Sequence, residues 1–135
     1  MPTAPKSDPL FAAAKRAMTK AHAPYSKFKV GAAILADNGK IYGGCNVENA
    51  SYPEGVCAET SAISAMVLDG GKQIREIAVI GAGRRLTTPC GGCRQRIREF
   101  GAPGTLIHVC GPGGRRKTIT LGTSLPDSFN GRNLK

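Results

Sequence analysis

Three cysteines and one glutamate, in two short segments, are the residues of this chain best suited to chemistry. They are Cys57 and Glu59 in the first segment and Cys90 and Cys93 in the second. Three thiolates leave the fourth position of a tetrahedral zinc ion open to water, which distinguishes a catalytic zinc site from a closed structural one. Glu59 lies two residues from a candidate ligand and could carry a proton to or from that water. The pattern therefore predicts zinc-assisted hydrolysis.

Two other interpretations of the cysteines remain open. A CxxC pair can be a redox motif, but such a motif usually lacks a third cysteine and a carboxylate. A closed structural zinc site would need a fourth ligand, for which Cys45 and Cys110 are candidates. Each of these lies in a predicted buried strand, where cysteine usually packs as a small hydrophobic residue. His22 and His108 lack zinc-ligand spacing, so we expect them to be ordinary, partly buried residues.

Both cysteine segments are predicted to lie where a loop meets a helix. Cys57 opens a predicted helix at residues 58–68, and Cys90 and Cys93 open another at residues 92–100. The first amides of a helix carry a partial positive charge, which stabilises thiolates, the form of cysteine that binds metal. The two residues between Cys90 and Cys93 are glycines, which let the backbone turn around a metal ion.

Helices and strands are predicted to alternate along most of the chain. The first helix is capped by Ser7 or Asp8 and ends at residues 23–24. A hairpin turn at residues 37–40 joins the first two strands, and residues 122–135 are mostly irregular. The predicted strands occupy residues 28–36, 41–47, 74–80, 106–110 and 117–121, the last as an edge strand. This order predicts a mixed sheet covered by helices, in the α/β class.

The bulk composition is that of one globular domain over residues 1–135, with a loose tail at residues 1–6. Hydrophobic residues make up 41% of the chain, too many for a disordered protein. No apolar run approaches the roughly 20 residues of a membrane span, and the N-terminus lacks the apolar segment of a secretory signal. We therefore expect a cytoplasmic protein without membrane contact, whose five cysteines do not form a disulfide framework.

The formal charge of +10 suggests a nucleic-acid partner, but the distribution of the charge does not support one. The basic residues are spread along the chain, and none of their small groups is interleaved with aromatic residues as in a single-strand stacking platform. These groups are Arg84 with Arg85, Arg94 with Arg96 and Arg98, and Arg115 with Arg116 and Lys117. Charge produces an attraction but not a site, so we do not expect nucleic-acid binding.

Five segments extend the pattern beyond the cysteines. They are residues 25–33 (YSKFKVGAA), 44–52 (GCNVENASY), 57–59 (CAE), 89–95 (PCGGCRQ) and 125–129 (LPDSF). In this order and spacing they resemble the small homotetrameric zinc-dependent cytidine deaminases, over almost the whole chain. The resemblance implies a three-layer α/β/α sandwich with a mixed five-stranded sheet. It also implies Zn²⁺ as cofactor and a homotetramer with sites shared between subunits.

The resemblance implies hydrolytic deamination of cytidine and 2′-deoxycytidine to uridine and 2′-deoxyuridine, with release of ammonia, in pyrimidine salvage. Cys57, Cys90 and Cys93 would be the metal ligands and Glu59 the catalytic proton carrier. Two alternatives stay open. One is a deaminase of another aminonucleoside or of cytosine in a polynucleotide, and the other is a non-enzymatic, zinc-stabilised binding module. Glu59 argues against the second, because a structural site has no need of a carboxylate there.

The resemblance also implies which residues contact the substrate. Asn46 and Glu48 match residues that hydrogen-bond the ribose hydroxyls, and an amide with a carboxylate can reject an analogue lacking the hydroxyl. From their residue types alone, they could equally cap a loop. The other implied contacts are Phe28 beside the pyrimidine, Val47 in the nucleoside-binding segment, Ala50 and Tyr52 towards a neighbouring subunit's site, the Ala58 backbone at the base edge, and Phe129 from another subunit. Phe28 could instead be a core residue, and Phe129 could dock the tail.

One residue departs from the family pattern. Many members carry an arginine directly after the Cys-Ala-Glu triplet, where it neutralises the ligand thiolates, and this chain has Thr60. A hydroxyl can donate a hydrogen bond but supplies no charge. We therefore expect the helix ends, Thr60 and Arg94 to share the compensation of three thiolates.

Overall fold

The computed structural model describes residues 8–134, so the tail predicted at residues 1–6 and the cap predicted at Ser7 lie outside the described residues. The helices are α1 (Pro9–Thr19), α2 (Ala58–Leu68), α3 (Gly91–Phe100) and α4 (Leu121–Ser124). The strands are β1 (Val30–Ala36), β2 (Ile41–Cys45), β3 (Ile74–Gly81), β4 (Leu106–Gly111) and β5 (Gly114–Thr120). Two 3₁₀ turns occupy Tyr52–Glu54 and Gly131–Leu134. Within residues 8–134, no helix is long and apolar enough to cross a membrane.

The five strands form one mixed sheet, as predicted, and the structure shows the strand order β2-β1-β3-β4-β5. The β1–β2 hairpin and the β1–β3 pair are antiparallel, β3 and β4 are parallel, and β5 closes the edge antiparallel to β4. The parallel pair is connected through α3, because parallel neighbours need a crossover between them. β5 begins earlier than predicted, at Gly114, and α4 takes the place of its predicted last residue.

Helices cover both faces of the sheet, so the prediction of a three-layer sandwich is confirmed. Alternate residues of each strand point to opposite faces. On β1, Ile34 packs with Met66 of α2 and Ile97 of α3, whereas Ala33 packs with Leu10 and Ala14 of α1. The central strands β3 and β4 are buried on both faces, as is usual for parallel neighbours covered by helices.

Helix α1 begins as predicted but ends earlier. The Asp8 carboxylate accepts a hydrogen bond from the Phe11 N–H at 3.1 Å and caps the helix. The end predicted at residues 23–24 is wrong, because α1 stops at Thr19 and His22 pairs with a distant segment. The His22 N–H donates to the Asn46 carbonyl at 3.0 Å, and its carbonyl accepts from the Glu48 N–H at 2.8 Å. This bridge leaves His22 exposed rather than partly buried.

Two predicted strands are longer than the structure shows. β1 begins at Val30 rather than at residue 28, because the Asn46 side chain accepts a hydrogen bond from the Val30 N–H and donates one to the Phe28 carbonyl. β2 ends at Cys45 rather than at residue 47, because Val47 exchanges two backbone hydrogen bonds of 3.0 Å with Val56. Tertiary hydrogen bonds therefore make both strands shorter than predicted, and residues 46–56 form the segment that precedes Cys57.

Gly44 allows helix α2 to lie directly against strand β2. A Cβ at Gly44 would fall on the Ala62 backbone nitrogen and lie 2.5 Å from the Ala58 carbonyl oxygen. Such contacts can be relieved only by moving α2, the helix that begins after Cys57 and carries Glu59.

Replacing Gly44 by alanine is expected to lower the free energy of unfolding by about 1–3 kcal/mol and to reduce zinc retention, because α2 must move away from the sheet. Gly43→Ala is the matched control, since a Cβ there has its nearest neighbour at an ordinary 3.6 Å. Urea denaturation and metal analysis of both variants measure these effects. Equal stability of the two variants would show that the close approach at Gly44 carries no cost.

Candidate metal centre and active-site cleft

The three cysteines of the sequence motif meet at one point of the fold. Cys57 is the N-cap of α2, Cys90 is the N-cap of α3, and Cys93 lies in the first turn of α3. Their Sγ atoms all lie within 4.8 Å of one another. Cys45 and Cys110 are not part of this cluster, which is the only grouping of three or more His, Cys, Asp or Glu ligand atoms within residues 8–134. A fourth protein ligand, as a closed structural site requires, is therefore not found in the described part of the chain.

The donor set and its spacing fit a zinc ion. A Zn–S bond of about 2.3 Å in a tetrahedron corresponds to sulfur–sulfur distances of about 3.8 Å, so the cluster needs only a small contraction around a metal. Cys93 is fully buried, Cys57 is half-buried, and Cys90 is exposed. Cys57 and Cys90 both line a cleft of about 600 Å³, which leaves one side of the cluster accessible to a small molecule.

The pKa values of the three thiols shift in different directions because their surroundings differ. Burial raises the pKa of Cys57 and, more strongly, that of Cys93. The backbone N–H of Cys93 faces the sulfur of Cys90 and lowers the pKa of Cys90 below its ordinary value. The expected stabilisation of thiolates by a helix N-terminus is thus clearest for Cys90. Burial therefore disfavours the thiolate form of Cys93.

Glu59 lies beside the cluster and lines the same cleft. Only 4% of its surface is exposed, and no ion pair joins it to a basic residue in the described part of the chain. Burial raises the pKa of Glu59, while its own backbone N–H, the Cys93 thiol and the charge of Arg96 act in the opposite direction. A buried carboxyl group next to an open metal position is able both to accept and to return a proton.

Asn46 and Glu48 also line the cleft, and both are held by backbone groups of residues 25–30. Asn46 Oδ1 accepts from the Val30 N–H at 2.8 Å, and its Nδ2 donates to the Phe28 carbonyl at 3.0 Å. Each side chain keeps unused capacity for a ligand, since the Asn46 amide has a second hydrogen and each carboxylate oxygen of Glu48 has further lone pairs.

Glu48 is oriented by three donors. Its Oε1 accepts from the N–H groups of Tyr25 and Ser26 at 3.0 and 3.1 Å, and its Oε2 accepts from the Ser26 hydroxyl. The Ser26 hydroxyl and N–H, followed by the Tyr25 N–H, hold the pKa of Glu48 below its ordinary value. The carboxylate is therefore charged at neutral pH and fixed in direction before any ligand binds.

The remaining residues expected at the substrate divide into two groups. Val47, Tyr52 and Ala58 line the cleft. Phe28, Ala50 and Phe129 do not line it within one subunit. The Phe28 ring lies against Gly81 and Gly83 and is 38% exposed. Phe129 is 56% exposed on the C-terminal segment, where its carbonyl accepts from Gln95 Nε2 at 2.9 Å.

Several residues that line the cleft were not assigned from the sequence. They are Tyr25, Ser26, Val30, Asn49, Gly55, Val56, Thr87 and Thr88. Some of them could have been found from the sequence. Tyr25 and Ser26 begin the segment 25–33 that resembles the family, and Thr88 directly precedes the PCGGC motif. The rings of Tyr25 and Tyr52, which both line the cleft, meet edge to face with centroids 6.2 Å apart.

A basic residue does contact a cluster sulfur, but it is neither of the side chains expected to do so. The Arg94 guanidinium donates to the carbonyls of Pro89 and Ser124, at 3.1 and 2.8 Å. The Thr60 hydroxyl is buried without a hydrogen-bond partner. Arg96 Nη1 instead donates to Cys93 Sγ at 3.7 Å.

A three-thiolate cluster that opens into a cleft beside a buried glutamate fits the class of zinc-dependent hydrolases. Comparison with known families narrows that class. The family model described as the cytidine and deoxycytidylate deaminase zinc-binding region matches residues 5–109, and the chain belongs to this family. The match covers all three cysteines and Glu59, so zinc is the cofactor that the cluster and the family have in common.

Similar proteins and structures cover most of the chain. A cytidine deaminase of Sporosarcina psychrophila is 39% identical over 125 residues, covering 93% of this chain and 92% of that protein. The crystal structure of cytidine deaminase from Burkholderia pseudomallei matches with a TM-score of 0.82 at 43% identity, covering 89% of this chain and 96% of that one. The structure from Mycobacterium tuberculosis matches with a TM-score of 0.76 at 40% identity, covering 87% and 92%.

Proposed function

We propose that this chain is a zinc-dependent hydrolase that converts cytidine and water to uridine and ammonia, and 2′-deoxycytidine likewise to 2′-deoxyuridine. The observation that carries the proposal is the position of the buried Glu59 beside three converging cysteine sulfurs, in a cleft that Asn46 and Glu48 also line. Membership of the deaminase family and the similarity to cytidine deaminases support the same reaction.

The chemistry is divided between the cysteines and Glu59. Cys57, Cys90 and Cys93 would hold zinc, which acidifies water and so supplies a nucleophile at neutral pH. Glu59 takes up the proton that the attacking water loses as its oxygen bonds to C4 of the pyrimidine. It passes this proton to ring N3. Glu59 then takes the second proton from the hydroxyl now on C4 and passes it to the amine, which leaves as ammonia as the C4–N bond breaks and the C4 carbonyl forms. The burial of Glu59 keeps bulk water away from these transfers.

Asn46 and Glu48 are proposed to bind the ribose hydroxyls and thus to select a free nucleoside. The charged Glu48 accepts from a hydroxyl, and the remaining Asn46 N–H donates to one. Both groups are already ordered by the backbone of residues 25–30, so little entropy is lost when the sugar binds. A polynucleotide lacks the free 3′-hydroxyl within its chain and would not satisfy them.

The working form is proposed to be a cytoplasmic homotetramer. Four apolar side chains at the cleft, Tyr25, Val47, Tyr52 and Val56, are all more than 40% exposed in the single subunit. A cluster of exposed apolar residues of this kind is typical of a surface that another subunit covers. Ala50 and Phe129 lie outside the cleft of their own subunit and are proposed to reach the site of a neighbour.

An ultraviolet assay with the zinc-loaded protein tests the reaction directly. Cytidine and 2′-deoxycytidine are expected to react, whereas cytosine, adenosine and a short single strand serve as competing substrates. The proposal fails if both cytosine nucleosides remain unchanged. Turnover of the single strand in preference to cytidine would instead identify a polynucleotide deaminase.

Glu48→Gln is expected to lower kcat/KM for cytidine by about 10- to 100-fold, because a hydrogen bond to a charged group contributes about 1.5–3 kcal/mol. The loss is expected to shrink for 3′-deoxycytidine, which lacks the hydroxyl that Glu48 would bind. Glu54→Gln is the matched control, since Glu54 is an exposed acid of the neighbouring turn and does not line the cleft. Equal losses for the two nucleosides would contradict sugar recognition by Glu48.

A further inference from the structure

The three cysteine ligands and Glu59 place several negative charges close together. Three thiolates around one dication leave a formal excess of one negative charge, and the Glu59 carboxylate lies next to them. Cys93 is the most deeply buried of the three sulfurs, so water screens its charge least. A positive group is most effective beside this sulfur.

Helix α3 carries three arginines, and only one of them reaches the cluster. Arg94 and Arg98 point to the C-terminal segment, where Arg94 donates to the Ser124 carbonyl at 2.8 Å and Arg98 donates to the Ser128 hydroxyl at 2.9 Å. Arg96 lies one helical turn after Cys93 and donates to its Sγ at 3.7 Å. Arg96 shares a helix face with Cys93, because residues three apart lie on the same face, whereas the C-terminal segment engages Arg94 and Arg98.

Gly92 favours the contact between Arg96 and Cys93, and Thr60 offers no competing charge. A Cβ at Gly92 would lie 3.3 Å from Arg96 Nη1, so the glycine leaves room for the guanidinium beside the cluster. Thr60, which follows the Cys-Ala-Glu triplet, has a buried hydroxyl without a partner and brings no charge. Among residues 8–134, Arg96 is the one basic side chain that hydrogen-bonds a sulfur of the cluster.

We propose that Arg96 is a positioning residue that balances the excess negative charge of the metal ligands through its hydrogen bond to Cys93. This inference rests on the proposed zinc site. The guanidinium withdraws electron density from the ligand sulfur and fixes its direction, as outer partners of metal ligands do. Because Arg96 does not line the cleft, its effect reaches the reaction through Cys93 and not through contact with substrate.

Zinc release provides a readout that does not depend on catalysis. Arg96→Met is expected to raise the rate of zinc release to an excess of chromogenic chelator by about 10- to 100-fold, the usual effect of losing an outer partner of a ligand. Arg96→Lys keeps the positive charge but lacks the planar guanidinium group. Its rate of zinc release is therefore expected to lie between those of the wild type and Arg96→Met. Arg98→Met removes the same charge from the same helix and is expected to release zinc at the wild-type rate.

A second readout follows the sulfur itself. In the cobalt-substituted protein, Arg96→Met is expected to move the thiolate-to-cobalt charge-transfer band to lower energy, because Cys93 becomes more electron-rich, whereas Arg98→Met leaves it in place. With cytidine, Arg96→Met is expected to lower kcat and leave KM unchanged. Arg96 is exposed, so circular dichroism is expected to show a wild-type fold for its variants.

The outcomes separate this inference from the proposed function. If wild-type protein binds no zinc, the proposed function fails. If the protein binds zinc and deaminates cytidine but Arg96→Met releases the metal at the wild-type rate, the role of Arg96 is overturned and the function stands. Equal acceleration by Arg96→Met and Arg98→Met would also overturn it, because the effect would then be one of total charge.

Discussion

Glu59→Gln is expected to lower kcat for cytidine by about 10²- to 10⁴-fold, the contribution of a positioned proton carrier. Glutamine has nearly the same shape as glutamate but cannot take up and return a proton. Glu59 is buried beside the cysteine cluster, so a second carboxylate cannot readily replace it. Single-turnover and steady-state rates measured by ultraviolet absorbance give the size of the loss.

The interpretation of Glu59→Gln depends on an intact site. Zinc content and thermal stability are expected to match the wild type, because glutamine fills the same volume without adding a charge. Glu99→Gln changes the net charge equally on an exposed face of α3 and is expected to keep full activity. A Glu59→Gln enzyme with wild-type kcat would exclude Glu59 as the proton carrier and remove the main support for a hydrolytic mechanism.

Cys93→Ala is expected to weaken zinc binding by about 10²-fold and to abolish deamination at limiting zinc. A four-ligand structural zinc site binds with about 10–16 kcal/mol, so one thiolate contributes roughly 3 kcal/mol. Cys93 is also the buried ligand, and its loss opens the cluster on the side that is closed to water. Competition titration with a chelator measures the affinity, and thermal unfolding with and without chelator measures the coupled stability.

Cys110→Ala is the matched control for Cys93→Ala. Both cysteines are almost fully buried, but Cys110 lies on β4 and packs with α1 on the opposite face of the sheet. Burial raises the pKa of Cys110 to about 11, so it is a neutral thiol that packs as a small hydrophobic residue. Cys110→Ala is expected to lose some stability and to keep zinc and activity. Equal zinc loss in both variants would contradict the assignment of ligands to the cluster.

Local signals predicted the elements that carry the site. The apolar spacing of residues 58–68, closed by two glycines, predicted α2 with the bounds that the structure shows, and Gly70 adopts a φ of 92° at the helix end. The CxxC segment was predicted to open a helix, and Cys90 caps α3. These features depend on residues within one or two helical turns, so a single sequence contains the information for them.

Features that depend on distant partners were not predictable in the same way. α1 stops at Thr19 and β1 starts at Val30 because His22 and Asn46 make hydrogen bonds across the chain. The choice of Arg96 over Arg94 as the cation at the cluster depends on where the C-terminal segment lies, since that segment offers its carbonyl oxygen to Arg94.

The sequence therefore determines which chemical groups the site contains, whereas the tertiary fold determines whether these groups lie close together. Three cysteines and a glutamate predict zinc-assisted hydrolysis from their types and spacing, and the family resemblance of the segment around Asn46 and Glu48 adds the expectation of a nucleoside substrate. Only the packing of α2 and α3 against the same sheet face brings the sulfurs within 4.8 Å of one another. The physical reason is the sequence separation over which each interaction acts. Helix capping and hydrophobic periodicity involve residues a few positions apart, whereas a metal site needs side chains from separate helices held at ångström distances.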